Sequence, residues 1–445
     1  MRFRFVHAAD IHLGYEQYNL VQRANDFAAA YLAMVEHAVS AGADFVLIAG
    51  DLFHRASADA WMLKQATRGL EILREADIPV IAVEGNHDVQ HARKNLSWLE
   101  FLCDQKLLIL LNVQSAANGH KALIPFDPRE RFGSYVDIAG ARIYGLKYYG
   151  AATGRILEEV GSLIEPGGNG YTILMLHNGM VGQVPHMHGG LAQAQTVSLH
   201  PPVDYLALGH VHKRLMEGWI FNPGSLESNS FEEMDWPHGF FDVEVDTDLP
   251  EKQVVTEVAT PELRPFRRIS VTADETVTLE QLVSRAEEKI EATRDIPTGA
   301  VVELHLGGVA TFKRQDVPVG RLTARAQVRF NPLLVRVRNN LVPPGLVTVR
   351  RQERDSRSDI ERQVVEHLVY QRADYRDRAT AWARLILDVK NMAAEKDTPA
   401  SIADHVREAL RQDSVREEGG ENRDLAQPLT VATTLDEPLH DMDPG

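Results

Sequence analysis

The sequence is poor in cysteine, in long hydrophobic runs and in net positive charge. Its 445 residues include one cysteine, Cys103, and 47 basic against 63 acidic side chains, for a net charge of −16. One cysteine cannot form an internal disulfide or a thiolate zinc site, which excludes disulfide-rich secreted scaffolds, zinc fingers and paired-cysteine redox proteins. Because no apolar run reaches the length of a signal core or a membrane span, we expect a cytoplasmic protein. The negative charge argues against a protein that binds nucleic acid over its whole surface.

The remaining composition and patterning predict several domains. Residues 1–250 alternate short apolar runs with helical patterns, which is typical of an α/β sandwich with mixed sheets. A charged break near residues 246–265, which carries three prolines, separates the first domain from the region assigned to 262–350. There one helix over 279–294 between strand-like runs predicts a small α+β domain. Residues 356–410 are helical in pattern. Residues 411–445 hold nine acids against three arginines, and we expect them to be disordered.

Five apolar runs in the first domain are each followed at once by residues that can bind a metal ion. These residues are Asp10 and His12, Asp51 and His54, Asn86 and His87, His177, and His210 and His212. Because ligands of open α/β sheets bind at the carboxyl ends of strands, we expect the five loops to converge on one crevice. Residues two apart in extended chain face the same way, so each Asp-x-His or His-x-His pair can aim at one point. Glycines before Asp51, Asn86 and His210 are expected to permit sharp turns.

The chemistry of these side chains points to a hydrolase. Imidazole, carboxylate and amide ligands without thiolate suit Mn, Fe or Zn. Seven of the residues are ligand candidates, which is too many for one ion and predicts two ions bridged by a carboxylate, typical of enzymes acting on phosphate esters. His54 and His87 remain as candidates for phosphate contact and leaving-group protonation.

In this order, the motifs resemble the calcineurin-like metallophosphoesterase superfamily over residues 1–245. Gly50-Asp51-Leu52-Phe53-His54 and the stretch from Asn222 to Glu233 are similar to the SbcD-type nuclease subunits of DNA double-strand-break repair complexes. The resemblance implies a four-layer sandwich of two mixed β-sheets flanked by helices. It also implies Mn-dependent exonucleolytic and endonucleolytic cleavage of DNA.

The resemblance further implies residue roles and partners. One ion would be held by Asp10, His12, Asp51 and His212, and the other by Asp51, Asn86, His177 and His210, with Asp51 bridging. His87 would serve the leaving group and His54 would position the phosphate. An SbcC-type coiled-coil ATPase would bind the helical segment 356–410, which alternatively folds back on its own domain. A homodimer would use helices of the first domain, with Trp61-Met62-Leu63 and the stretch from Leu96 to Phe101 as candidates.

Several alternatives stay open. The protein could instead be a phosphodiesterase that acts on nucleotides or small phosphate esters. A non-catalytic subunit that binds DNA or the ATPase is a third possibility. The stretch from Lys313 to Arg351 holds nine basic residues and one acid. It is either a DNA contact surface of the capping domain or a solvated face neutralised by acidic neighbours. Tyr15, Gln17 and Tyr18 either contact substrate or only pack against other side chains, and Asp88 either orients His87 or caps a helix.

His186 and His188 have the spacing of metal ligands. They lie in a glycine-containing loop, and we do not expect them to bind a metal ion.

Overall fold

The structure is a computed structural model of the chain. It describes residues 1–89, 96–115, 121–165, 170–183, 190–197, 199–200, 202–344, 357–370, 372, 375, 378–394 and 399–417. His186, His188 and residues 418–445 of the acidic tail lie outside the described residues. The chain has two compact units: Met1–Ala273 with Leu279–Gly307 and Gln315–Asn340, and Asp274–Thr278 with Gly308–Arg314 and Leu341–Gly445. Among the described helices, none combines the length and the apolar character that a membrane crossing requires.

The elements follow the chain in the order below. The strands are β1 (Arg2–Ala8), β2 (Phe45–Ile48), β3 (Val80–Ala82), β4 (Ile109–Leu110), β5 (Gln114–Ser115), β6 (Lys121–Ala122), β7 (Tyr135–Ile138), β8 (Ala141–Leu146), β9 (Tyr171–Leu176), β10 (Tyr205–Leu208), β11 (Leu215–Glu217), β12 (Ile220–Asn222), β13 (Gly239–Asp246), β14 (Gln253–Ala259), β15 (Phe266–Ala273), β16 (Val301–Gly308) and β17 (Leu334–Asn339). The helices are α1 (Val21–Ala41), α2 (Ala60–Glu75), α3 (Trp98–Asp104), α4 (Thr153–Gly161), α5 (Gln193–Val197), α6 (Leu279–Ala292), α7 (Val319–Phe330), α8 (Arg357–Tyr370), α9 (Ala379–Ala394) and α10 (Pro399–Glu417).

Two six-stranded mixed sheets form the centre of the first unit. The first has the order β14-β13-β1-β2-β3-β4, and the second has the order β11-β12-β10-β9-β8-β7. In the first sheet β1 to β4 run parallel, whereas β13 is antiparallel to β1. In the second sheet β8, β9, β10 and β12 run parallel. Parallel strands that share a direction deliver their carboxyl ends to the same edge, which is the edge that carries the candidate ligands.

Aromatic and aliphatic side chains fill the space between the two sheets. The ring of Phe5 on β1 stacks on Phe45 with centroids 5.1 Å apart and meets Tyr205 of the second sheet edge-on at 5.2 Å. Buried residues of α1, α2 and α3 pack on the outer face of the first sheet, and those of α4 pack with the second sheet. Layers of helix, sheet, sheet and helix result. The predicted four-layer sandwich is confirmed.

Local signals in the sequence fix the ends of these outer helices. The Asp59 side chain accepts hydrogen bonds from the backbone N–H groups of Trp61 and Met62 and so caps the start of α2. Helix α1 ends at Gly42, which adopts the left-handed conformation that favours glycine. Ser97 and Glu100 form a capping box at the start of α3.

The predicted dimer residues on α2 and α3 divide by exposure. Met62 and Leu99 are buried in the core between these helices and the first sheet, so they are not available to a second chain. Trp61, Leu63, Trp98 and Phe101 are partly buried against the same core, and Leu96 is exposed. The homodimer stays a prediction.

The capping region contains one more helix than the sequence pattern predicts. The three-stranded sheet β15-β16-β17 is accompanied by α6 and by α7, and only α6 was expected. The apolar stripe of α7 is short, because Leu322, Ala326 and Phe330 are its buried residues and arginines occupy much of the rest. A single narrow stripe among charges explains why the prediction of one helix was wrong.

A buried arginine joins the capping sheet to the first domain within the first unit. The Arg23 side chain is fully buried, donates to the Gln17 side-chain oxygen and the Ser228 carbonyl, and lies 3.3 Å from a Glu227 carboxylate oxygen. Its guanidinium also lies 5.1 Å from the ring centroid of Phe266 on β15. Nearby, Arg264 forms a two-pronged ion pair with Asp26.

The C-terminal segment of the second unit is helical, as its pattern indicates. It holds α8, α9 and α10, and α10 continues to Glu417, past the predicted start of the tail at residue 411. Val369, Ala379 and Ala383 are buried in this segment, whereas Ile386 is 45% exposed. The domain boundaries and the partner of this segment stay predictions.

Candidate metal centre

The predicted ligands come from strand ends in both sheets and meet at one place. Asp10 and His12 follow β1, Asp51 follows β2 and Asn86 follows β3, while His177 follows β9 and His210 and His212 follow β10. The distances between their polar atoms are short. They are 3.1 Å for His12 Nε2 to His212 Nε2, 3.3 Å for His177 Nε2 to Asp51 Oδ2, 3.0 Å for His177 Nε2 to Asn86 Oδ1, and 2.9 Å for His210 Nδ1 to Asn86 Oδ1.

Two of the aspartates lie between the two sides of this cluster. Asp51 Oδ2 is 3.9 Å from His12 Nε2 on one side and 3.3 Å from His177 Nε2 on the other. Asp10 Oδ1 is 4.0 Å from both His177 Nε2 and His212 Nε2. Possible ligand atoms of Asp10, His12 and His212, and likewise of Asp10, Asp51 and His177, all lie within 4.8 Å of one another. The geometry therefore gives Asp10 a position as central as that of Asp51.

The sharp turns fall on the ligand residues themselves. Asp10, His12, Asp51 and His210 have φ angles of 52°, 51°, 54° and 74°, in the left-handed region that non-glycine residues rarely adopt. Each such residue costs about 1–3 kcal/mol, and such strain concentrates at functional sites. Sequence reasoning placed the turns on glycines, and of the three only Gly50 has a positive φ, of 91°.

Gly85 serves a different purpose from the one expected. A Cβ atom at this position would lie 2.0 Å from Asp51 Oδ1. The missing side chain therefore makes room for the central carboxylate, and the same kind of close approach occurs at Gly209, where a Cβ would lie 2.3 Å from the Ala49 carbonyl oxygen. At both positions glycine is needed for space rather than for a turn.

The donor set fits a divalent cation. The Nδ1–H of His177 donates to the Ala49 carbonyl at 2.7 Å, which leaves the lone pair of Nε2 facing the oxygens of Asp51 and Asn86. Acceptors that face acceptors in a buried site need a positive charge between them. Asp10 Oδ2 is in addition buried and has no hydrogen-bond partner within the described part of the chain. Nitrogen and oxygen ligands of this kind suit Mn, Fe or Zn.

The pKa values of the ligand side chains indicate the same need for positive charge. Burial lowers the pKa of His177, but the nearby Asp51 and Asp10 carboxylates outweigh it and raise that pKa to about 9. Burial raises the pKa of Asp10 to about 6 despite His177 and His212. Burial lowers the pKa of His210 to about 4, and neighbouring His177 adds to this. The two carboxylates therefore favour positive charge beside His177, which is the charge that a cation would supply.

His54 and His87 lie beside the ligand cluster. The His87 backbone N–H donates to Asp51 Oδ1 at 2.9 Å, and its Nδ1 donates to the His54 carbonyl at 2.5 Å. The rings of His87 and His12 meet edge-on with centroids 4.9 Å apart. Burial lowers the pKa of His54 to about 4, with His87 contributing, so the His54 ring is neutral at neutral pH.

The structure also answers the questions that the sequence left open for neighbouring residues. Asp88 accepts backbone N–H bonds from Leu52, Phe53 and Gly85, so it ties the second and third ligand loops together rather than orienting His87. The ring of Tyr15 stacks on His54 with centroids 3.8 Å apart. Gln17 packs as the partner of Arg23, and the ring of Tyr18 lies under Arg336.

Two residues near the ligands were assigned no role from the sequence. The Tyr148 ring lies 5.2 Å from His210 and 6.0 Å from His177, measured between centroids. Because Tyr148 comes just after β8, the strand-end rule applied to that strand could have found it. Glu233 Oε1 lies 3.0 Å from His212 Nδ1. Glu233 ends the stretch from Asn222 that resembles the SbcD-type subunits, but nothing in that stretch indicates contact with a residue 21 positions earlier.

The arginines of the capping region are mostly paired. On α7, Arg321 forms two hydrogen bonds with Glu287 of α6, and Arg325 and Arg329 pair with Glu291. On β17, Arg338 pairs with Glu232. Arg350 and Arg351 lie outside the described residues, and Lys313 and Arg314 belong to the second unit. For α7 these contacts favour the interpretation of a face neutralised by acidic neighbours.

Comparison with known proteins finds similarity over the part of the chain that contains these residues. Residues 3–214 match the family described as calcineurin-like phosphoesterase. The sequence is also similar to archaeal proteins named DNA double-strand break repair protein Mre11. It is 35% identical to the one of Archaeoglobus fulgidus over 50% of this chain and 50% of the relative. The identity is 28% for that of Saccharolobus solfataricus, over 47% of this chain and 50% of the relative. The protein of Aeropyrum pernix is also 28% identical, over 65% of this chain and 68% of the relative. In the first two cases the matched part spans about half the length of the relative.

Proposed function

We propose that the protein is a Mn-dependent DNA nuclease that hydrolyses phosphodiester bonds in double-strand-break repair and end processing, as both exonuclease and endonuclease. The observation that carries this proposal is the convergence of five strand-end loops on one buried cluster whose acceptor atoms face each other. The names of the archaeal relatives support DNA as the substrate. The alternative is a phosphodiesterase that acts on nucleotides or small phosphate esters. The experiment below distinguishes it from a DNA nuclease.

The chain would hold two divalent ions. Asp10, His12, Asp51 and His212 would hold one, and Asp51, Asn86, His177 and His210 the other, in accordance with the family resemblance. The bound ions would supply Lewis-acid stabilisation of the charge that develops on the phosphoryl oxygens. The rigid hydrogen bond of His177 Nδ1–H to the Ala49 carbonyl keeps the Nε2 lone pair directed at the centre.

His87 and His54 would act on the substrate itself. Because Nδ1 of His87 is committed to the His54 carbonyl, Nε2 is the atom that would pass a proton to the leaving oxygen. General acid catalysis of this kind contributes about 10²–10⁴-fold. The neutral ring of His54, held against Tyr15, would donate a hydrogen bond to a phosphate oxygen and hold it in place.

We further propose two partners from the family resemblance. The helices α8 to α10 would bind an SbcC-type coiled-coil ATPase, and the exposed Ile386 on α9 supports a surface available for such a contact. The exposed Leu96 and the partly buried Trp61, Trp98 and Phe101 would contribute to a homodimer. Cross-linking through cysteines introduced at Leu96 and at Ile386 tests the two contacts separately.

The experiment uses the purified full chain with Mn²⁺ and three substrates: linear duplex DNA, single-stranded DNA and a cyclic nucleotide. We expect cleavage of DNA that disappears in EDTA and falls about 10²-fold or more in His87→Gln. His200→Gln is the matched control, because His200 stacks on Trp219 and takes no part in the site. Hydrolysis of the cyclic nucleotide with DNA left intact would establish the alternative. No metal-dependent hydrolysis of any substrate would indicate a non-catalytic subunit.

A further inference from the structure

We propose that Glu233 is a positioning residue that holds His212 in the tautomer and orientation in which its Nε2 binds a divalent ion. This inference rests on the proposed function, because it takes His212 as a metal ligand. It assigns Glu233 no contact with the substrate. Its action would pass entirely through the imidazole of His212.

The Glu233 carboxylate is fixed by three hydrogen bonds. Oε1 accepts from His212 Nδ1 at 3.0 Å and from the Ser230 hydroxyl at 3.2 Å, and Oε2 accepts from the Asn229 backbone N–H at 2.8 Å. Its side chain is 10% exposed. Because the two bonds from the loop hold the carboxylate in place, the position of Glu233 in turn determines the position of the His212 ring.

The bond to Glu233 determines which ring nitrogen of His212 is free. A neutral imidazole carries one N–H, and donating it from Nδ1 to the carboxylate leaves the lone pair on Nε2. That Nε2 is the atom 3.1 Å from His12 Nε2 and 4.0 Å from Asp10 Oδ1. A carboxylate partner also makes the imidazole a stronger ligand than a neutral partner does.

The other side of the centre uses a neutral acceptor for the same purpose. His177 donates its Nδ1–H to the Ala49 backbone carbonyl at 2.7 Å. Both sides therefore fix a histidine through Nδ1, but the anchor of His212 is a side chain that a single substitution can change. This difference makes the role of Glu233 testable without altering a ligand.

The preceding residue offers a matched control. Glu232 belongs to the same short helical turn, but its carboxylate is 58% exposed and pairs with Arg338 instead of a ligand. Glu232→Gln removes one negative charge from the same turn and leaves His212 with its partner.

The test is calorimetric titration of the metal-free full chain with Mn²⁺. In Glu233→Gln one of the two carboxylate oxygens is replaced by an NH₂ group, which donates hydrogen bonds and cannot accept them. If the NH₂ group faces the Asn229 backbone N–H, that hydrogen bond is lost. If it faces His212 Nδ1, the tautomer of His212 changes. We expect one Mn²⁺ binding event to weaken about 10–100-fold, the usual effect of losing such a partner. Glu232→Gln should bind Mn²⁺ within about 3-fold of wild type, well below the effect of losing that partner.

A double-mutant cycle shows whether the effect passes through His212. In a His212→Gln background, Glu233→Gln should cause no further loss of Mn²⁺ affinity. An equal loss in both backgrounds, or wild-type affinity in Glu233→Gln alone, would overturn the inference. If His212→Gln itself leaves Mn²⁺ binding unchanged, the ligand assignment of the proposed function fails instead.

Circular dichroism and unfolding in EDTA check that the variants fold. If Glu233→Gln does not fold, Glu233→Asp replaces it, because it keeps the charge and withdraws the carboxylate by one methylene. Weakened Mn²⁺ binding in Glu233→Asp that vanishes in the His212→Gln background supports the inference, and unchanged binding contradicts it.

Discussion

The strand-end loops of the metal centre and the α6–α7 pair of the capping region are both rich in charge, but they use it differently. At the centre, Asp10 and His177 are fully buried, and their contacts reach across both sheets. On α7, Arg321 and Arg325 are 63% and 53% exposed and pair with glutamates of the neighbouring helix. Buried polar groups must find defined partners, whereas exposed ones exchange partners with water at little cost.

This difference shows which charged residues can be assigned a function from the sequence. At the centre each polar residue follows an apolar strand, and burial leaves few arrangements for it. In the stretch from Lys313 to Arg351 the basic residues are numerous, but their partners lie on another helix that the stretch itself does not reveal. Local positive charge alone therefore predicts a DNA surface less securely than buried ligand types predict a metal site.

The largest expected effect is that of Asp51→Asn on hydrolysis. Asp51 lies between both histidine groups, and an amide cannot serve two ions as a carboxylate does. We expect Mn²⁺-dependent DNA cleavage to fall about 10³-fold or more, corresponding to several kcal/mol of lost stabilisation. Steady-state rates with linear duplex DNA measure it. Activity within about 10-fold of wild type would break the contrast between buried and exposed charge.

The second prediction concerns the stability contributed by buried Arg23. Arg23→Met removes the shared partner of Gln17, Glu227 and Asp26, and it leaves the buried Glu227 carboxylate without its cation, whereas Asp26 keeps its pair with Arg264. Breaking a buried ion pair in this way costs about 3–5 kcal/mol. Denaturant unfolding in EDTA measures the change, and a loss below about 1 kcal/mol would show that burial does not strengthen this network.

The third prediction uses His7, a buried histidine on β1 outside the ligand set. Its nitrogens lie 3.0 Å from the Tyr205 hydroxyl and 3.1 Å from the Leu208 carbonyl, and burial lowers its pKa to about 3. In the unfolded chain His7 takes up a proton near pH 6.5, whereas in the folded chain it does so only near pH 3. The contribution of neutral His7 to the unfolding free energy is therefore fully present above pH 6.5 and falls as the pH decreases towards 3. The loss is about 1.4 kcal/mol per pH unit.

The measurement is the difference between wild type and His7→Gln in unfolding free energy, taken in EDTA from pH 7 down to pH 4. Glutamine does not titrate, so its curve should fall less steeply by that slope. Two parallel curves would contradict the assignment of a neutral buried His7.

The smallest expected effect is that of the exposed pairs on α7. Arg321→Gln and Arg325→Gln each remove one surface ion pair, which is worth about 0–1 kcal/mol. We also expect DNA affinity to change by less than about 3-fold, because these arginines already have acidic partners. Arg336→Gln, on β17 over the Tyr18 ring, serves as the comparison, since it has no carboxylate partner among the described ion pairs. A large loss of DNA affinity in Arg321→Gln would instead support the interpretation of the α7 face as a DNA contact surface.

The sequence predicted the sandwich and the convergence of the ligand loops because both follow from strand patterns and chain direction. It misplaced the turns, because nothing in the residue types shows that Asp10 and His12 accept a left-handed backbone to aim their side chains. It indicated no role for Glu233, and it missed the helix α7. The first depends on a distant loop returning to His212, and the second has only a narrow apolar stripe.

The most direct test of the two-ion centre is the number of Mn²⁺ ions bound per chain. Equilibrium dialysis of the metal-free full chain against Mn²⁺ should give two ions for wild type and fewer for Asp51→Asn, because the two ions are proposed to share that carboxylate. One ion or none in the wild-type chain, or two in Asp51→Asn with unchanged affinity, would contradict the account.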